Sequence, residues 1–213
     1  MDILEGAKPM ERRNISLGFT NEPIPEGMHI CYLYTDEDER DRVMGEFLES
    51  GLLANEKVIC SVEDEASNPM VQRLRAMNMP EGALNVVSCE GAYYPAGRFK
   101  PQETLDLIRD FYRHAVDTEG FAGARGTGPM TWSLDGDRTD LKTVIEYEAR
   151  VNCLCDEHPY TACCQYDARK LSGHMIMDIL SVHPALIVHG QLVKNPYYIE
   201  PGSFLQKFQE RGE

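Results

Sequence analysis

Several things are missing from this chain, and each absence narrows what it can be. No apolar run approaches the ~18 residues that suggest a membrane-spanning helix, and the N-terminus, MDILEGAKPMERRN, lacks the apolar centre of a secretory signal. A cytoplasmic protein without a membrane partner is the expectation. Clustered Lys and Arg are missing too: 35 acidic side chains face 21 basic ones, a net charge of −14 spread along the chain. That balance excludes a nucleic-acid partner read through its phosphates and disfavours an anionic membrane surface. The chain has no Gly-Lys-Ser/Thr ending of a phosphate-binding loop, no GxSxG, no HExxH, and no GxGxxG after its first strand-like run. With no nucleophile–base signature, the expectation is a protein that is not an enzyme.

What is present alternates. Short β-favouring runs, HICYLY (29–34), KVICSV (57–62), LNVVSC (84–89), a short run at 121–125, TACCQY (161–166) and LIVH (186–189), are separated by helical patterns. Thr35 can cap the first helix, whose face is Val43, Met44, Phe47 and Leu48, with Gly51 at its end. Strands alternating with helices predict crossover units, and hence an α/β three-layer α/β/α sandwich around a mainly parallel sheet. At 213 residues and 42% apolar composition, one domain over 27–213 is expected. Residues 1–26 read as an N-terminal extension that wraps the domain or makes a contact. A two-fold homodimer is the default assembly.

In such sheets ligands sit where strands stop and helices begin, so CCQYD (163–167) draws attention first. Gly123–Met130, GARGTGPM, reads as a glycine-rich turn after a strand, with Arg125 as its nearby cation and Pro129 removing a donor. On the helix that follows, Glu148 and Asn152 lie on a stripe otherwise made of Leu141, Val144, Ile145, Val151 and Cys155. A buried carboxylate needs a partner, and Arg125 is the expected one, as a structural or a ligand-binding pair. Tyr94, Trp132 and Tyr166, with Tyr93, Phe99, Tyr197 and Tyr198, supply aromatics near strand ends. The expected ligand pocket therefore comprises Arg125, Trp132, Glu148, Asn152, Gln165, Tyr166, Asp167 and Tyr94. His29, His183 and His189 lack ligand-like spacing and read as structural. Asp36, Glu37, Glu63 and Asp64 follow strands, where helix capping explains them as well as magnesium does.

The seven cysteines need a reading other than disulfides. Most fall in predicted strands, where free Cys is a small core hydrophobe, so no cofactor is expected. The alternative is a metal or redox switch holding zinc or iron on Cys153, Cys155, Cys163 and Cys164, with His158. Against it, helix residues two apart diverge by about 200° and adjacent strand residues face opposite sides.

Taken in order, GMHICYLYTDEDE, YYPAGRFKP, GFAGARGTGPMTWSL, YEARVN, CCQYDARKLSG, DILSVHPALIV and NPYYIEP resemble the MEDS family of methanogen and methylotroph sensory domains, from Gly27 to Leu205. The resemblance implies a non-catalytic sensor of prokaryotic signalling, responding to small hydrocarbon derivatives such as methylated or halogenated one-carbon compounds. It also implies a RecA/KaiC-like core without its Walker A loop, and suits a methanogen origin. A third reading is a degenerate nucleotide-binding protein. Two departures stand out: Pro129 replaces a Glu usual in the family's glycine turn, and this chain has no room for the kinase or DNA-binding module often joined to the domain. It is therefore expected to be a free-standing sensor that passes its signal to a protein partner through a mobile GAYYPAGRF loop.

Overall fold

The computed structural model describes residues 12–94 and 97–210. Its elements begin with β1 (Asn14–Ile15) and β2 (Ile24–Pro25), a small antiparallel ribbon. Then follow β3 (His29–Tyr34), α1 (Glu37–Leu53), β4 (Glu56–Val62), α2 (Pro69–Arg75), β5 (Leu84–Ser88), α3 (Cys89–Tyr93) and α4 (Pro101–Arg113). The second half holds β6 (Gly123–Pro129), α5 (Leu141–Glu157), β7 (Tyr160–Asp167), α6 (Gly173–Ser181), β8 (Ala185–Val188), β9 (Gln191–Lys194) and α7 (Pro201–Glu210). Seven strands form one sheet in the order β5-β4-β6-β7-β3-β8-β9, all parallel except β9. Helices cover both faces, as the alternating pattern requires. No helix among the described residues is long and apolar enough to cross a membrane.

Side-chain alternation along each strand makes two cores. On one face Ile30, Tyr32, Val58, Cys60 and Cys163 pack against Val43, Phe47 and Leu48 of α1, Leu74 of α2, and Ile15, Leu17 and Ile24 of the ribbon region. On the other, Cys31, Ala162 and Tyr166 pack against Val144, Tyr147, Val151 and Cys155 of α5, with Leu105 of α4, Ile179 of α6 and Phe204 of α7. Residues 12–25 of the expected extension thus run beside the first core; residues 1–11 lie outside those described.

Three local expectations are corrected. The glycine-rich stretch is not a turn: Gly123–Pro129 is a fully buried strand between β4 and β7. Its glycines serve packing, since a Cβ on Gly126 would overlap the Tyr160 hydroxyl and one on Gly128 the Ser61 hydroxyl. The cap of α1 is Asp36, whose carboxylate accepts the Glu39 N–H, rather than Thr35. GAYYPAGRF begins as α3, capped by Ser88; its Pro95 and Ala96 lie outside the described residues. Three strands were missed: β1 and β2 of the ribbon, and β9. His189 and Gly190, at φ 50° and 66°, form the two-residue turn that folds β9 back on β8.

Candidate functional site

The expected pocket residues do not converge. Arg125, on the α1 side of β6, is 0% exposed and faces Glu56, not Glu148. Its Nε donates to Glu56 Oε2, and its Nη1 donates to Phe47 O (2.8 Å), Ser50 Oγ (3.0 Å) and Ser16 O (3.1 Å). Arg13 extends this into a chain of alternating charge, reaching Glu56 at 3.3 Å and Glu26 at 2.6 Å. Gln165 faces the same side and donates to Thr127 Oγ1. Asp167 closes β7 against Arg169 at 2.7 Å. Trp132 lies apart, stacked on Tyr93 at 4.3 Å, and the Tyr94 hydroxyl donates to its carbonyl. The crevice at the carboxyl ends of β4, β6 and β7, about 270 Å³, includes Gln165 alone of the expected set and is lined by Asp41, Glu63 and Asp64.

Glu148, Asn152 and Tyr166 do meet, on the α5 side, and with residues the sequence pattern passed over. Glu148 is 0% exposed. Its Oε2 lies 2.9 Å from His29 Nε2, 3.3 Å from His183 Nε2 and 3.5 Å from Cys164 Sγ. Tyr166 donates its hydroxyl to Oε1 at 3.1 Å. His29 opens β3, Cys164 and Tyr166 alternate with Gln165 along β7, and His183 ends the turn after α6. Asn152, one turn along α5, donates to Val182 O at 2.7 Å, tying the helix to that turn. The two imidazole rings lie 4.1 Å apart, centroid to centroid, tilted by 43°.

Burial alone would raise the Glu148 carboxyl, but hydrogen bonds and charge from His183 and His29 outweigh it and hold the group below the usual carboxylate range. Burial, together with His183 alongside, pulls His29 down to about 4, against the opposing pull of Glu148. Burial pushes the Cys164 thiol well up, with Glu148 adding to it.

The four cysteines of the metal alternative do not gather. Cys153 is exposed, while Cys163 and Cys164 point to opposite faces of β7, Cys163 into the α1-side core. Among the described residues, the one group of metal-type donors that converges is His29, Glu148, Cys164 and His183.

A cavity of about 90 Å³ adjoins this cluster, between the sheet and the α3–α4–α5 layer. Its floor is Gly126 and Gly128, its walls Tyr93, Tyr147, Tyr160 and Ala162, and Cys164 belongs to both cavity and cluster.

The family model for the methanogen/methylotroph, DcmR sensory domain matches residues 28–184. The chain belongs to the MEDS family. All four residues of the Glu148 cluster fall inside the matched span. The MEDS chain is also similar to the transcriptional repressor DcmR of Methylorubrum extorquens, with 27% identity over 156 residues, covering 73% of this chain and 57% of the repressor. It therefore spans little more than half the length of that relative. In fold it resembles a KaiC-like protein from Pyrococcus horikoshii OT3, with a TM-score of 0.52 and 13% identity over 83% of this chain and 80% of that one. At this identity the likeness concerns the RecA-type fold alone. In this MEDS domain β3 passes into α1 through Thr35 and Asp36, and the first helical turn carries Glu37, Asp38 and Glu39. Three carboxylates at a helix N-terminus repel the phosphate that such a position otherwise attracts.

His29 and His183 were missed because isolated histidines carry no spacing signal. The usable signal was Glu148 itself: a carboxylate on a core stripe demands a donor, and the histidines next to buried strands were the alternatives to Arg125.

Proposed function

We propose that this chain is the ligand-sensing part of a prokaryotic signalling or gene-regulatory system, that it is not an enzyme, and that its ligand is a small one-carbon compound, methylated or halogenated. The observation that carries this reading is the cavity over Gly126 and Gly128. Its volume is about 90 Å³, whereas an apolar cavity of about 150 Å³ accepts benzene. A molecule of one or a few heavy atoms fits that space. The aromatic rings give apolar contact, and Ser61 and Tyr93 give the polar handle. A ligand there presses on Tyr93 of α3, whose ring stacks on Trp132. Tyr94 and Phe99 also pack on Trp132, which gives a protein partner something to read. Membership in a sensory family and similarity to a repressor favour a regulatory output over catalysis. The acidic start of α1 disfavours the nucleotide reading.

A thermal-shift screen of methanol, methylamines, methanethiol and halomethanes tests it. A ligand at a hundred times its Kd contributes about 2.7 kcal/mol, which for a chain of this size raises Tm by roughly 5–10 °C. Ala162→Val, which narrows the cavity from β7, is expected to fold and to remove the response. A response unchanged in Ala162→Val, or one confined to ATP or GTP, overturns the reading.

A further inference from the structure

We propose that His29, Glu148, Cys164 and His183 form a binding site for one divalent transition-metal ion, with zinc the best match. Their donor atoms all lie within 4.8 Å of one another. Bond lengths of about 2.0–2.3 Å around a tetrahedral zinc put neighbouring donors roughly 3.3–3.7 Å apart. The observed edges are 2.9 Å for His29 Nε2 to Glu148 Oε2, 3.3 Å for His183 Nε2 to the same oxygen, 3.5 Å for Cys164 Sγ to that oxygen, and 3.4 Å for His29 Nε2 to Cys164 Sγ. These four of the six edges are within a few tenths of an ångström of a coordination shell, and the two from His183 to His29 and to Cys164 are within 4.8 Å.

The histidine tautomer strengthens the case. His183 Nδ1 sits 2.8 Å from Ile179 O, a pure acceptor, so Nδ1 carries the proton. Nε2, buried 3.3 Å from Glu148 Oε2, then meets that oxygen lone pair to lone pair in the neutral ring unless a proton or a metal ion stands between them. A proton there gives an imidazolium–carboxylate attraction; a metal ion in its place gives two bonds. The outer contacts match a metal centre as well. The Ile179 carbonyl fixes the ring of His183, and Tyr166 holds Oε1 so that Oε2 is the oxygen presented.

The donor set selects the ion. Two imidazole nitrogens, a carboxylate oxygen and a thiol suit zinc, or iron(II) second, whereas magnesium and calcium want oxygen. As the sulfur–metal bond forms, the Cys164 proton leaves to solvent. His29 also lines a cleft of about 400 Å³ beside Asn152, Pro184 and Tyr198, a route for the ion to reach the site. The inference stands on this geometry and not on the one-carbon reading, though the two sites share Cys164.

The test uses full-length protein purified without oxygen. Metal content is measured, the protein is stripped with a chelator, and zinc and cobalt(II) are titrated back. One equivalent per chain is expected, with a thiolate-to-cobalt charge-transfer band that disappears in Cys164→Ser. Affinity should fall at least tenfold in His183→Gln and stay unchanged in the control Cys153→Ser, with the folding of each variant checked by circular dichroism. Where a variant does not fold, the wild-type cobalt spectrum decides: tetrahedral bands with a thiolate component support the site, and their absence overturns it. No uptake against a chelator, equal uptake in Cys164→Ser and His183→Gln, or loss in Cys153→Ser overturns it as well. Stoichiometric uptake with a silent ligand panel supports this site while overturning the one-carbon reading. A ligand response from protein that takes up no metal does the reverse.

Discussion

Glu56 and Glu148 are both buried carboxylates on opposite sides of one sheet, 2% and 0% exposed, yet they are neutralised in opposite ways. Glu56 meets Arg125 and Arg13, two guanidiniums that stay charged at any physiological pH. Arg125 spends its remaining bonds on backbone and serine oxygens of α1 and the N-terminal segment. That cluster joins β4, β6, α1 and residues 13–26, with Arg125 Nη2 buried and without a hydrogen-bond partner. Glu148 meets two histidines, a thiol and a phenol, groups that exchange protons and bind metals. Permanent cations make a structural joint; titratable donors leave a centre whose occupancy can change.

The largest effect separates them most sharply. Arg125→Met leaves Glu56 buried with only the half-exposed Arg13, and a buried ion pair missing one partner costs about 3–5 kcal/mol. Urea denaturation should show that loss, with no change in metal uptake. A loss under 1 kcal/mol would mean the arginine is not the joint described.

Glu148→Gln should cost less, roughly 1–3 kcal/mol in metal-free protein, because the amide keeps a partner for Tyr166 while the attraction to the histidines is lost. The same variant should take up no zinc. Full zinc affinity in Glu148→Gln would take the carboxylate out of the site.

The most gradual effect is the slope with pH. His29 titrates at about 4 when folded and near 6.5 when unfolded, so between those values the unfolded chain binds the extra proton. Stability of metal-free protein is then full above pH 6.5 and falls as pH drops toward 4, by up to about 1.4 kcal/mol per unit for one proton. His29→Asn should flatten that slope, and Arg125→Met should not. An equal slope in wild type and His29→Asn would assign the acid sensitivity to other groups.

Much of the frame was readable from local pattern. The strands expected at 29–34, 84–89 and 161–166 stand at 29–34, 84–88 and 160–167, because a β-favouring run is a property of a few consecutive residues. The glycines of β6 misled, because Gly126 and Gly128 look like a turn until Tyr160 and Ser61 are seen to occupy the space a Cβ would need. The eight residues expected to line one pocket divided between the two faces of the sheet and the Trp132 cluster. Adjacent positions such as Gln165 and Tyr166 belong to opposite sides.

By itself, then, the sequence determined the α/β sandwich, the family, the missing phosphate loop and the need of Glu148 for a partner. Each is written in the spacing of neighbouring residues or in motifs read in order. Only the tertiary structure decided which cation each carboxylate meets and that Cys164 stands in both the cavity and the Glu148 cluster. Those pairings depend on register and side-chain facing between segments far apart in the chain, where a shift of one residue sends every side chain to the other face.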